Sequence, residues 1–96
     1  NTLGDDIYYK KAQINLQLGN FTEAEKMYKN IVEFYPSELY GDDAQFKLAE
    51  LYDKYLNKID EAKKAYEQLI VSYPGSIYTV QARKRFRDLR GDNLSN

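Results

Sequence analysis

Apolar positions recur along this chain at three- and four-residue intervals, in stretches separated by proline, glycine and asparagine, and that spacing predicts helices throughout. The first helix is expected from about Asp5 to Leu18, with Asp5 and Asp6 at the positive end of its dipole and Gly19-Asn20 closing it. A second starts near Thr22, whose spacing to Glu25 reads as a capping box, and runs to Tyr35, where Pro36 stops it. The third begins between Glu38 and Asp42 and continues to about Leu56. Its Ala44, Leu48, Leu51, Tyr52 and Tyr55 form one apolar stripe, which leaves Phe46, Lys47, Glu50, Asp53 and Lys54 on the opposite side. A fourth, about Ile59 to Tyr73, buries Ala62, Ala65, Tyr66, Leu69 and Ile70 and ends at Pro74-Gly75. The fifth runs from about Ile77 to Arg90 and stops at Gly91, ahead of a polar tail expected to fray. No alternating run bounded by a hairpin turn is present, so the fold class is all-α.

The pattern then repeats. Gly4-Asp5-Asp6, Ala12, Ala24-x-x-x-Tyr28 and Tyr35-Pro36 return as Gly41-Asp42-Asp43, Ala49, Ala62-x-x-x-Tyr66 and Tyr73-Pro74. The offset is 37 residues early in the unit and 38 late, which puts one extra residue in the middle turn of the second copy. A period of this size marks a stacked repeat. An incomplete third copy follows, with Tyr78, Ala82, Phe86 and Leu89 in the register of Tyr40, Ala44, Leu48 and Leu51. There Arg87 and Arg90 replace Ala49 and Tyr52, the positions that would face a partner helix, so the fifth helix reads as a solubilising cap. In the first unit Lys11 and Asn15 stand where the second has Leu48 and Tyr52, which hints at a missing neighbour on that face.

Two antiparallel helices per unit, short turns and a closing proline suggest a helical-hairpin solenoid. The second unit resembles the tetratricopeptide repeat through Leu48-Ala49, Tyr52, Ala62-x-x-x-Tyr66 and Pro74, and the first through Tyr8, Ala12, Gly19, Ala24-x-x-x-Tyr28 and Pro36. The resemblance implies a single domain over 1–96 in a right-handed superhelix. It has repeat one at about 5–36, repeat two at about 41–74, a capping helix at about 77–90 and a tail at 91–96. A finer resemblance rests on Asp42-Asp43-Ala44 and Tyr73-Pro74-Gly75-Ser76-x-Tyr78. These phrases look like repeats of bacterial outer-membrane assembly lipoproteins, of the periplasmic Tol–Pal-associated protein and of the large envelope proteins of the Bacteroidetes. They imply a periplasmic or outer-membrane-associated scaffold. The chain opens on Asn1 and reads as a cut-out of something longer.

Composition narrows the chemistry. With 43% hydrophobic and 30% charged residues the chain is of the folded, globular kind. It holds neither cysteine nor histidine, which removes disulfides, thiolate nucleophiles, the usual zinc sites and imidazole acid–base catalysis. No glycine-rich phosphate loop or nucleophile–base pair occurs, so an enzyme is not expected, and neither is a cofactor or metal. No apolar run reaches bilayer length. The net charge of −1 gives no global field toward nucleic acid.

What is left is surface. In the family the first helix of each unit lines a concave groove. The resemblance therefore assigns partner binding to Tyr9, Gln13, Phe46, Lys47, Glu50, Asp53, Lys84 and Asp88, with Tyr9 and Phe46 as apolar anchors in a charged rim. At helical spacing, both rings equally suit packing between units. The expected partner is a protein or peptide. The alternatives are an architectural role in a larger solenoid, with upstream repeats or a second copy on the N-terminal face, and anionic-surface or nucleic-acid binding through Arg83-Lys84-Arg85-Phe86-Arg87 and Arg90. Asp5-Asp6 and Asp42-Asp43 read as helix starts rather than a metal site. Arg90-Gly91-Asp92, Asn20-Phe21-Thr22 and Asn93-Leu94-Ser95 read as chance matches to adhesion and glycosylation motifs.

Overall fold

The computed structural model describes residues 2–37 and 39–91; Glu38 and the expected polar tail at 92–96, including Asn93-Leu94-Ser95, lie outside them. Helices α1 (Thr2–Gln17) and α2 (Phe21–Phe34) form one hairpin. Helix α3 (Gly41–Glu50), its π-helical continuation Leu51–Tyr55 and α4 (Ile59–Ser72) form the next, and α5 (Thr79–Arg90) packs on α4. No strand occurs among the described residues. The helix starts differ from the expected ones in one instructive place. Asn20, not Thr22, is the N-cap of α2, with no side-chain capping bond. Thr22 is already in the first turn, and Glu25 is drawn away to Tyr52 and Lys29.

The extra residue of the second unit is absorbed in the helix, not in the turn. In the first hairpin the Asn20 amide closes on the Asn15 carbonyl at 2.8 Å; in the second the Lys58 amide closes on Tyr52 at 2.8 Å, one residue wider. The surplus is taken up as the π turn Leu51–Tyr55, the usual form of a one-residue helix insertion. Both hairpins still turn the same way. Gly19 (φ 80°) and its counterpart Asn57 (φ 54°) each adopt the left-handed conformation that ends a helix, open to glycine and, among the rest, best tolerated by asparagine.

Small residues set the helix spacing: Ala12, Ala24, Ala49 and Ala62 are completely buried, around the large buried rings of Tyr28 and Tyr66. Between units the backbone itself comes close. The Tyr73 hydroxyl donates to the Pro36 carbonyl at 2.7 Å, and both atoms lie over Gly41 at the start of α3. A Cβ on Gly41 would collide with the Pro36 carbonyl oxygen and stand 2.9 Å from the Tyr73 hydroxyl. Gly41→Ala should therefore cost about 2 kcal/mol or more, since backbone and not a flexible side chain must yield. Gly75→Ala, with nothing within 4 Å, should stay within about 0.5 kcal/mol of the parent chain. Paired thermal melts separate the two, and equal effects would contradict the packing described.

Candidate interaction groove

Helices α1, α3 and α5 open three successive units, so their register decides which side chains share a face. Lys10, Lys47 and Arg85 are equivalent, as are Gln13, Glu50 and Asp88, and Leu16 matches Asp53. The two junctions built on this register are not alike.

At the first junction a pocket of about 260 Å³ stays open between α1 and α3. Gln13, Leu16 and Gln17 line it from α1, with Lys47, Glu50, Leu51 and Tyr55 from α3 and its π turn, and Tyr28 at the base. Glu50 lies 3.9 Å from Lys47 and 3.6 Å from Lys54, so the rim carries both signs of charge over an apolar floor. Burial, and secondarily the Asp43 and Glu50 carboxylates, push the Tyr28 hydroxyl up to about 12, so it stays neutral.

At the second junction the same place is closed. Arg85 forks onto Asp53 through Nε and Nη2, each at 2.9 Å, and the Tyr66 hydroxyl donates to the same carboxylate at 2.9 Å. Only 4% of the Asp53 side chain is exposed. The Asp53 bond holds the Arg85 guanidinium above its ordinary pKa. Asp53 is thus a structural acceptor shared by three helices, not a rim residue for a partner, which corrects the expectation from the sequence. It looked solvent-facing because it lies opposite the stripe, but α3 is flanked on both sides.

The two expected anchors are corrected for the same reason. Phe46 is 4% exposed, and its ring stacks on Tyr78 with centroids 4.5 Å apart and planes 12° from parallel. Tyr9 is likewise buried and stacks on Tyr40 at 4.3 Å and 12°. In each case a tyrosine from the loop entering the next unit covers the ring. The Tyr9 hydroxyl donates to Asp43 at 2.8 Å; burial first, then that bond, raises its pKa. Neither ring is offered to a groove ligand.

The remaining assigned residues divide by helix. Gln13, Lys47 and Glu50 meet at the open pocket. Lys84 and Asp88 lie on α5, bonded to each other at 3.4 Å, with Arg85 also on Asp88 at 3.4 Å. The basic run of α5 is dispersed: Arg85 turns inward, Lys84 pairs, and the Arg90 guanidinium lies 4.9 Å over the Phe86 ring. The aspartate pairs serve the unit junctions, Asp42 accepting from Ser76 at 2.7 Å and Asp43 from Tyr9. Among the described residues no group of three or more His, Cys, Asp or Glu is placed to hold a metal.

Sequence reasoning missed Gln17, Leu51 and Tyr55 as pocket residues; Leu16 it set on the groove side of the first helix without assigning it to binding. The mismatch of Leu16 with Asp53 in the repeat register was a signal for the open junction; the π turn that carries Tyr55 showed only as the change of offset from 37 to 38, which names neither its place nor its form. Among the described residues no helix is long and apolar enough to cross a membrane.

Two family models, both described as tetratricopeptide repeat, match residues 5–38 and 43–76. No curated protein and no solved structure matches the chain. The two matched segments take up most of the sequence and fall on the two hairpins. The chain belongs to the tetratricopeptide repeat family, whose repeats generally mediate protein–protein interaction as non-catalytic scaffolds.

Proposed function

We propose that this chain is a non-catalytic interaction module that holds an extended segment of a partner protein at the junction of α1 and α3. The observation that carries this reading is the inequality of the two junctions: one is zipped by Asp53 and Arg85, the other is open over Leu16, Leu51 and Tyr55. The opening has room for one side chain of leucine or phenylalanine size. The amides of Gln13 and Gln17 can both donate to and accept from an extended main chain, while Lys47 and Glu50 set the charge of the flanking residues. The phrases shared with bacterial envelope repeats, Asp42-Asp43-Ala44 and Tyr73-Pro74-Gly75-Ser76-x-Tyr78, support a periplasmic or outer-membrane-associated setting for this work.

The test is selection of a displayed random-peptide library on the chain, followed by amide chemical-shift mapping of the winning peptide. Shifts should centre on Leu16, Lys47, Leu51 and Tyr55. Glu50→Ala should weaken that peptide by about tenfold, or 1.4 kcal/mol. The melting temperature should hardly move, because exposed pairs of this kind are each worth under about 1 kcal/mol. A shift map centred on α5, or a library that yields no binder, sinks the groove reading.

A further inference from the structure

The pocket between α1 and α3 holds a hydroxyl without an acceptor and a carboxylate without a close donor. The hydroxyl is that of Tyr28, at the base. Its counterpart one unit on, Tyr66, donates to Asp53 at 2.9 Å; here Leu16 stands at the Asp53 position, and among the described residues the Tyr28 hydroxyl has no acceptor. Tyr28 is only 1% exposed, yet none of its fully buried polar atoms is left unpaired, so the hydroxyl opens on the pocket. The carboxylate is that of Glu50, partly buried at the rim. Lys47 and Lys54 lie 3.9 and 3.6 Å from it, beyond hydrogen-bond distance. Elsewhere in the molecule such carboxylates take a tyrosine proton from another helix: Asp43 from Tyr9 at 2.8 Å, Glu25 from Tyr52 at 2.7 Å and Asp53 from Tyr66.

We propose that the partner segment is recognised through a tyrosine, whose ring enters the α1–α3 pocket and whose hydroxyl accepts from Tyr28 and donates to Glu50. This rests on the pocket being the binding site, and it names the residue that the pocket selects. The walls suit the ring: Leu16 and Leu51 are apolar, and Tyr55, tilted on Phe21 at 4.8 Å, adds an aromatic side chain. A leucine or phenylalanine fills the same space but desolvates both polar groups without replacing the water, and a buried donor left unpaired is destabilising. An acidic side chain takes the Tyr28 proton as Asp53 takes that of Tyr66, but it meets like charge, since Asp43 and Glu50 already act on this hydroxyl. Lys47 also lacks the planar fork with which Arg85 holds Asp53. A phenol is neutral and is donor and acceptor at one atom, which meets both requirements.

The probes are the peptides selected from a displayed random library on the 96-residue chain. An alanine scan of the winning peptide should single out a tyrosine, and changing that tyrosine to phenylalanine should weaken binding about tenfold by titration calorimetry. On the Tyr28→Phe chain the same two peptides should differ by less than about threefold, because the peptide hydroxyl has lost its donor. Glu50→Ala should shrink the difference in the same way, which keeps the comparison decisive even where Tyr28→Phe fails to fold. Peptides that map to the pocket but anchor through leucine, phenylalanine or an acidic residue overturn this proposal and leave the groove reading standing. So does a penalty for phenylalanine that persists undiminished in both variants. A library without binders, or a shift map centred on α5, removes the groove reading and this inference with it.

Discussion

Tyr66→Ala should remove most of the stability of this domain. The ring is completely buried, lies 6.0 Å from Phe46 and carries one of the three bonds on Asp53. Truncating a buried aromatic to alanine costs about 3–5 kcal/mol, against a total of about 5–15 kcal/mol for a domain of this size. Each kcal/mol lowers the melting temperature by about 4–8 °C in a domain of 60–100 residues, so the variant should melt tens of degrees early. Tyr66→Phe separates the two contributions. It keeps the ring and leaves Asp53 its bidentate arginine, so its cost should be about 1–2 kcal/mol. If the phenylalanine variant is as unstable as the alanine one, the hydroxyl and its carboxylate dominate, and the packing account of α3 and α4 is wrong. Chemical denaturation of the three proteins decides this.

The contrast between ring and hydroxyl also shows which layer of this molecule is legible in its sequence. Period, hairpins and the buried alanines follow from spacing alone, because Pro36 and Pro74, Gly4 and Gly41, and Ala24 and Ala62 each answer a local demand of backbone or helix approach. The finer layer depends on pairs far apart in the chain. Asp53 and Arg85 are 32 residues apart, and nothing local to either one names its partner. Helical periodicity put Asp53 opposite an apolar stripe, where an aspartate is ordinarily solvated; α3, packed on α2 and α4 and linked to α5 through Asp53, has no such open face. The stacking tyrosines escaped for a different reason. The repeat register sets Tyr40 and Tyr78 in line with the buried Ala44 and Ala82, as part of the helical stripe, but both precede their helices, and from there they cover Tyr9 and Phe46. The proposed site moved accordingly, from aromatic anchors to the junction where Leu16 leaves the carboxylate register unfilled.

Raising the pH should unfold the chain over a narrow interval that opens near the ordinary tyrosine pKa of about 10. Burial is the first cause in Tyr9, Tyr28, Tyr52 and Tyr66 alike, and it raises all four; for Tyr9, Tyr52 and Tyr66 a bonded carboxylate adds to it, from Asp43, Glu25 and Asp53. Below pH 10 or so these groups are neutral in the folded and unfolded chain, and their contribution is fully present. Above it the unfolded chain releases protons that the folded chain keeps, so stability falls as pH rises toward the folded values. Tyr28, raised to about 12, alone contributes a slope of about 1.4 kcal/mol per pH unit and a loss of roughly 3 kcal/mol across its window. With three more groups falling in the same direction, the margin of a small domain is exhausted well before Tyr28 itself would titrate in place. Helix content and tyrosinate absorbance should therefore change together in one cooperative step. Tyr28→Phe, which keeps the ring and removes the titrating group, should flatten the fall of stability with pH by one proton's slope. A gradual rise of tyrosinate absorbance from pH 10 or so with the helices intact would mean that these hydroxyls reach solvent in the folded protein, contrary to the burial that organises its core.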